Sequence, residues 1–191
     1  MFNRFNRFIV LVLFVSILLT GCGANSQNTA VKGPVTEGGE GGVESALVVF
    51  SDSAQGFSIG HPGTWSQDVS FTGGVKFVGG DSWMTLEIVT PAASTDVMTY
   101  AQGDVTAVTA AFQGFKQIDL KASTEVKDAV ILGFTADGTS TVTGKTFIAH
   151  DERYYMPLSD GRIAILTVTG PDNLYDREGV RDIALTFKLT K

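Results

Sequence analysis

The residues in this chain able to do chemistry are few. Gly56-Phe57-Ser58-Ile59-Gly60 matches G-x-S-x-G, the pattern in which a serine on a strained strand-to-helix turn becomes the nucleophile of a hydrolase. That chemistry needs a helix directly after the serine, with acid and histidine partners. Pro62-Gly63 follows at once and denies a regular helix its start, and the only histidine far downstream is His150. A serine hydrolase using Ser58 is therefore the remotest reading, and a chance match inside a strand-turn-strand unit is the simpler one. His61, beside the proline turn, reads as exposed or packed into that turn. His150-Asp151-Glu152 is the densest group of metal-ligand types. Neighbours in a strand point to opposite faces, so His150 and Glu152 share a side and Asp151 does not. Two protein ligands fall short of the three or four that zinc takes. His150 and Glu152 are thus the candidate metal residues, with surface charge as the plainer explanation. Asp137-Gly138-Thr139-Ser140-Thr141 lacks the acids of a calcium loop. Trp65, Trp83, Tyr154 and Tyr155 could line a pocket, although such aromatics more often pack a sheet. There is no P-loop, dinucleotide glycine motif, zinc-type cysteine pair or internal repeat, and no cofactor is expected.

Cys22 is the remaining reactive group and the only cysteine, so no disulfide forms within the chain. It follows Arg4, Arg7, an apolar run from Phe8 to Leu19, and Thr20-Gly21. The run has the length of a signal-peptide core and is short for a bilayer span. Leu19-Thr20-Gly21-Cys22 resembles the bacterial lipobox, in which the cysteine sulfur receives a diacylglyceryl group and cleavage leaves that cysteine first. The resemblance implies a signal peptide over residues 1–21 and an extracytoplasmic protein anchored by lipid to a bacterial membrane. Two or three acyl chains, at about 0.8 kcal/mol per buried methylene, hold a protein there stably.

Beyond the cleavage point stand 12 basic and 20 acidic residues, a formal charge of −8. Nucleic acid needs clustered Lys and Arg, so it is excluded as a partner, and an electrostatic grip on anionic lipid is disfavoured. Residues 22–45 hold no aromatic side chain and include Gly38-Gly39-Glu40-Gly41-Gly42. The stretch cannot bury enough apolar surface to fold and reads as a flexible tether. Residues 46–191 have the size of one domain with a real core.

The elements that must position these groups alternate in type. Short β-prone runs cover 46–50 and 56–60, and Gly79-Gly80-Asp81 reads as the turn of a hairpin over 74–78 and 83–89. Ser94-Thr95-Asp96 offers caps for a helix whose apolar face is Val97, Tyr100, Ala101, Val105, Val108 and Phe112. Gly114 stops that helix, and Gly103 weakens it. Residues 115–127 alternate, with Ile118, Leu120 and Ala122 on one face. Residues 129–134 are apolar on both faces, as a doubly covered strand is. Strands over 145–156 and 162–168 flank a turn at Pro157–Gly161. A closing helix, capped by Asp172 or Asn173, presents Val180, Ile183, Ala184 and Phe187. Hairpin-length links imply a mainly antiparallel sheet, and two one-sided helices each need a sheet face. The expected fold is α+β, an α/β/α sandwich with helices on the faces of that sheet.

Three stretches resemble the PsbP-like family, the superfamily of an extrinsic photosystem II protein and its bacterial relatives. They are Gly56-Phe57-Ser58-Ile59-Gly60-His61-Pro62-Gly63-Thr64-Trp65, the strand pair over 145–169 with Tyr154-Tyr155 and Gly161-Arg162-Ile163, and residues 169–175 leading to Ile183-Ala184-Leu185-Thr186-Phe187. The resemblance spans most of 50–191 and implies the same sandwich, no catalytic apparatus, and a binding or assembly role, often at membranes. With the anchor, the leading expectation is a non-catalytic protein that binds or helps assemble an envelope protein complex. The alternative is a binder of a small ligand or metal ion at the cell envelope.

Overall fold

The computed structural model describes residues 29–30, 46–92 and 95–190. The expected signal peptide, Cys22 and most of the expected tether lie outside the described residues. In chain order the elements are β1 (Thr29–Ala30), β2 (Leu47–Asp52), β3 (Phe57–Pro62), β4 (Ser66–Gln67), β5 (Gly74–Gly79), β6 (Ser82–Val89), α1 (Val97–Ala111), β7 (Lys116–Ala122), β8 (Val130–Thr139), β9 (Thr146–Pro157), β10 (Ile163–Pro171), a 3-10 turn (Asp172–Leu174), α2 (Arg177–Leu185) and β11 (Lys188–Leu189). Seven strands form one sheet in the order β4-β5-β6-β10-β9-β8-β7, and four form a second in the order β1-β2-β3-β11. Every pairing is antiparallel. The fold is the expected α+β class.

Strand alternation divides the core in two. Along β10, Ile163 and Ile165 join one buried cluster while Ala164, Leu166 and Val168 join another. Tyr155 and its neighbours Tyr154 and Met156 divide in the same way on β9. The first cluster lies under α1, through Ala101 and Val108, against Val130, Leu132 and Phe134 of β8. The second is closed by the small sheet, through Phe50, Phe57 and Ile59, and by α2, through Val180, Ile183 and Ala184. The two helices therefore cover opposite faces of the large sheet, with the small sheet sharing α2's side. Strands β8 and β10 carry apolar residues on both faces because both faces are covered.

Local chemistry sets the boundaries. Asp96 caps α1 by accepting the Thr99 N–H at 2.9 Å, an arrangement worth about 1 kcal/mol. The β5–β6 hairpin turns on Gly80-Asp81, with φ +61° at Gly80, the positive value that the first turn position of a II′ hairpin requires.

Three expectations are corrected. The cap of α2 is Asp176, which accepts the Glu178 and Gly179 N–H groups at 3.1 Å each. Asp172 and Asn173 instead lie in the 3-10 turn that precedes it. The chain does not end on that helix, because β11 returns to pair with β3. Strand β7 stops at Ala122 and shifts register between Gln117 and Asp119. That bulge leaves Ile118 half-exposed, and only Leu120 of the three expected face residues packs on the core. Within the expected tether, Thr29–Ala30 pair with Val48–Val49 of β2. Among the described residues, no helix is long and apolar enough to cross a membrane.

Candidate functional site

Register on the α1 side of the large sheet assembles a site that no single segment contains. Phe134 pairs with Asp151, Asp151 with Thr169, Thr169 with Trp83, and Trp83 with Val78. One cross-strand row thus runs over β8, β9, β10, β6 and β5. The next row pairs Arg153 with Thr167, Thr167 with Thr85, and Thr85 with Lys76. Helix α1 packs on β7, β8 and β9. Beyond its C-terminal end, this face changes from apolar to polar side chains.

A cavity of about 300 Å³ opens there. Asp151 and Thr169 contribute from the two central strands, Lys76 and Trp83 from the β5–β6 hairpin, Phe112 from the end of α1, and Phe147 from β9. Phe147 lies over Gly138, where a Cβ atom would come 2.6 Å from its ring, so glycine is what lets the aromatic wall sit against β8. At the rim, Asp81 Oδ1 accepts the Thr141 N–H at 3.0 Å, joining the β5–β6 turn to the β8–β9 turn. The Lys76 ammonium sits 5.7 Å from the centre of the Trp83 ring and 3.5 Å from Asp68 Oδ2.

Asp151 is the unusual group. It is fully buried, 0% exposed. One carboxyl oxygen accepts the Thr169 hydroxyl, and the other has no protein partner. Burial pushes the carboxyl up to about 6, against the opposing pull of the Thr169 hydrogen bond and of His150. A buried polar atom without a partner costs about 1–3 kcal/mol, and this one belongs to a residue that lines the cavity. A shallower groove of about 400 Å³ beside α1, including Tyr100, Gly103 and Asp104, is wide open. Its carboxylate is already committed: Asp104 Oδ2 accepts the Tyr155 hydroxyl at 2.9 Å and lies 3.2 Å from Arg153 Nε.

The residues singled out in the sequence are distributed as follows. His150 and Glu152 do share the α2 side, but each is engaged. His150 Nδ1 lies 3.0 Å from Asp172 Oδ1, and its ring stacks on Tyr175 at 4.2 Å. Glu152 accepts Arg177 Nε at 2.6 Å and the Tyr154 hydroxyl at 3.0 Å. Among the described residues, no group of three or more His, Cys, Asp or Glu could hold a metal ion. Ser58 pairs with Ser51 on one side and Lys188 on the other, inside β3, and the chain then enters a turn and β4, so no strand-to-helix elbow forms. His61 is buried, stacked 3.8 Å from Phe77, with burial lowering its pKa. Trp65 packs over Gly79 on the core, and Tyr154 and Tyr155 are core residues of opposite faces. Trp83 alone of the four aromatics lines the cavity. Strand alternation sets Asp151 apart from His150 and Glu152. The signal is an acid on the strand face that also carries Ala149, Arg153 and Tyr155. Neither a family model nor a curated protein matches the chain.

Proposed function

We propose that the chain is a non-catalytic binding protein, anchored by lipid on Cys22 outside the cytoplasm, and that the cavity at Asp151 receives a small ligand. The unpartnered, fully buried carboxyl oxygen of Asp151 carries this reading. The volume, about 300 Å³, falls at the lower end of small-molecule sites, roughly 300–1,000 Å³. Aromatic walls with a few convergent polar groups are the usual build of such sites. The lipobox-like Leu19-Thr20-Gly21-Cys22 and the PsbP-like stretches support the location and the absence of catalysis.

The test is native mass spectrometry of the full-length protein released from its own membranes. A bound small molecule, lost in Asp151→Ala, is the expected result. Absence of any such molecule, with a specific protein recovered by crosslinking that depends on Cys22, would overturn it in favour of a second reading. In that reading the protein binds or helps assemble an envelope complex. Strand β7 favours it, since it ends the large sheet and pairs only with β8 among the described residues, leaving Ile118 half-exposed on an open edge.

A further inference from the structure

We infer that the ligand of this cavity is a compact primary amine, held as its ammonium ion between Asp151 and the aromatic wall; the inference rests on the cavity being a ligand site. Three observations converge on that class. The free Asp151 oxygen, when ionised, accepts and cannot donate, so it calls for an N–H or O–H group. The wall is Trp83, Phe112 and Phe147, whose ring faces attract cations. The face of Trp83 already has an ammonium near it, that of Lys76 at 5.7 Å, which shows that this ring accepts one. Lys76 is itself balanced by Asp68 at 3.5 Å, so it does not close the site to a second positive charge. Asp81 and Asp137 add further negative groups to the lining.

A quaternary ammonium would satisfy the rings and leave the Asp151 oxygen without a hydrogen. A carboxylate would face Asp151 directly. An alcohol would satisfy the oxygen but draw nothing from the rings as a cation. A primary amine with an apolar body meets both demands, and the small volume limits that body to about one ring.

The test is calorimetric titration of the full-length protein in lipid nanodiscs with butylamine, cyclohexylamine, 2-phenylethylamine and tryptamine. Each is paired with the alcohol and the carboxylate of the same body. At least one amine should bind tenfold or more tighter than its alcohol, and Asp151→Asn should remove that preference. A second measurement does not depend on the variant folding. The amine's affinity should rise about tenfold from pH 5 to pH 7 as Asp151, which titrates near 6, ionises. The alcohol should show no such rise. Besides Asp151, the charged groups lining the cavity are Lys76, Asp81 and Asp137, with Arg153 and its partner Asp104 one row away and His150 behind the strand. These act on amine and alcohol in the same medium, so the difference between the two profiles isolates the ammonium. Alcohols or carboxylates that bind as well as their amines would overturn the inference and leave the cavity reading standing. No binding by any probe would overturn both.

Discussion

Replacing Asp151 by asparagine should make this protein more stable at neutral pH. The side chain is fully buried, and burial moves its titration from 3.8 to about 6. The folded chain therefore holds a proton through a range where the unfolded chain has already lost it. Over that window stability falls as pH rises, and above about 6 the whole cost is present. A gap of about two pH units, at ~1.4 kcal/mol each, sets that cost near 3 kcal/mol as an order of magnitude. Asparagine keeps the shape and an oxygen for the Thr169 hydroxyl, and carries no charge. Urea unfolding of the full chain at pH 7.5 should show Asp151→Asn more stable by about 1–3 kcal/mol, with the gain shrinking to nothing below pH 4. A gain of equal size at both pH values, or a loss at neutral pH, would refute the reasoning. The same variant should lose its preference for amines, so stability and binding would move in opposite directions at one residue.

Three further outcomes follow from single contacts. Gly103 lies inside α1 with nothing within 4 Å of where a Cβ would stand; Gly103→Ala should stabilise by about 0.5–1 kcal/mol, read as a higher melting temperature. Thr186 accepts the Gly60 N–H at 2.6 Å and donates to the Ile183 carbonyl at 2.6 Å, tying α2 to β3; Thr186→Val should cost about 1–3 kcal/mol in chemical unfolding, because the Gly60 donor is left without a partner. Burial depresses the pKa of His61 below 6.5, so the unfolded chain takes up this proton first and stability falls as pH drops through and below 6.5. His61→Gln should flatten that fall between pH 6.5 and 5 in urea midpoints, and an unchanged slope would show that His61 is not its source.

Much of the fold was legible because periodicity reports burial. The face of α1, the turn at Gly80-Asp81 and the doubly apolar run over β8 all appear in the residue pattern. What escaped had a physical reason in each case. Strands β4 and β11 are two residues long, too short for any period, and they exist through pairing with distant partners. The bulge at Ile118 arises where Asp119 settles over Gly133, a cross-strand fit invisible along the chain. The 3-10 turn moved the α2 cap to Asp176 although Asp172 and Asn173 are equally good capping types. The site was the least legible part. Alternation correctly separated Asp151 from His150 and Glu152, but Thr169 and Trp83 stand 18 and 68 residues from it. Only the sheet register brings them together.

The alternation of β9 has a consequence for what insertions the chain can survive. This central strand sends Asp151, Arg153 and Tyr155 toward α1 and His150, Glu152 and Tyr154 toward α2. Adding or deleting one residue before position 150 would exchange the two sets. After an insertion, Tyr154 would take the place built for Tyr155, but Glu152 would take that of Arg153, opposite Thr167, without Arg177 and facing the Asp104 carboxylate. Charged groups on both sides thus lock the strand's register more tightly than an all-apolar strand of the same length would be locked. Length variation in this part of the chain should therefore be confined to the turns at 140–145 and 158–162, and a library of single-residue insertions would mark β9 as a gap between two tolerant segments.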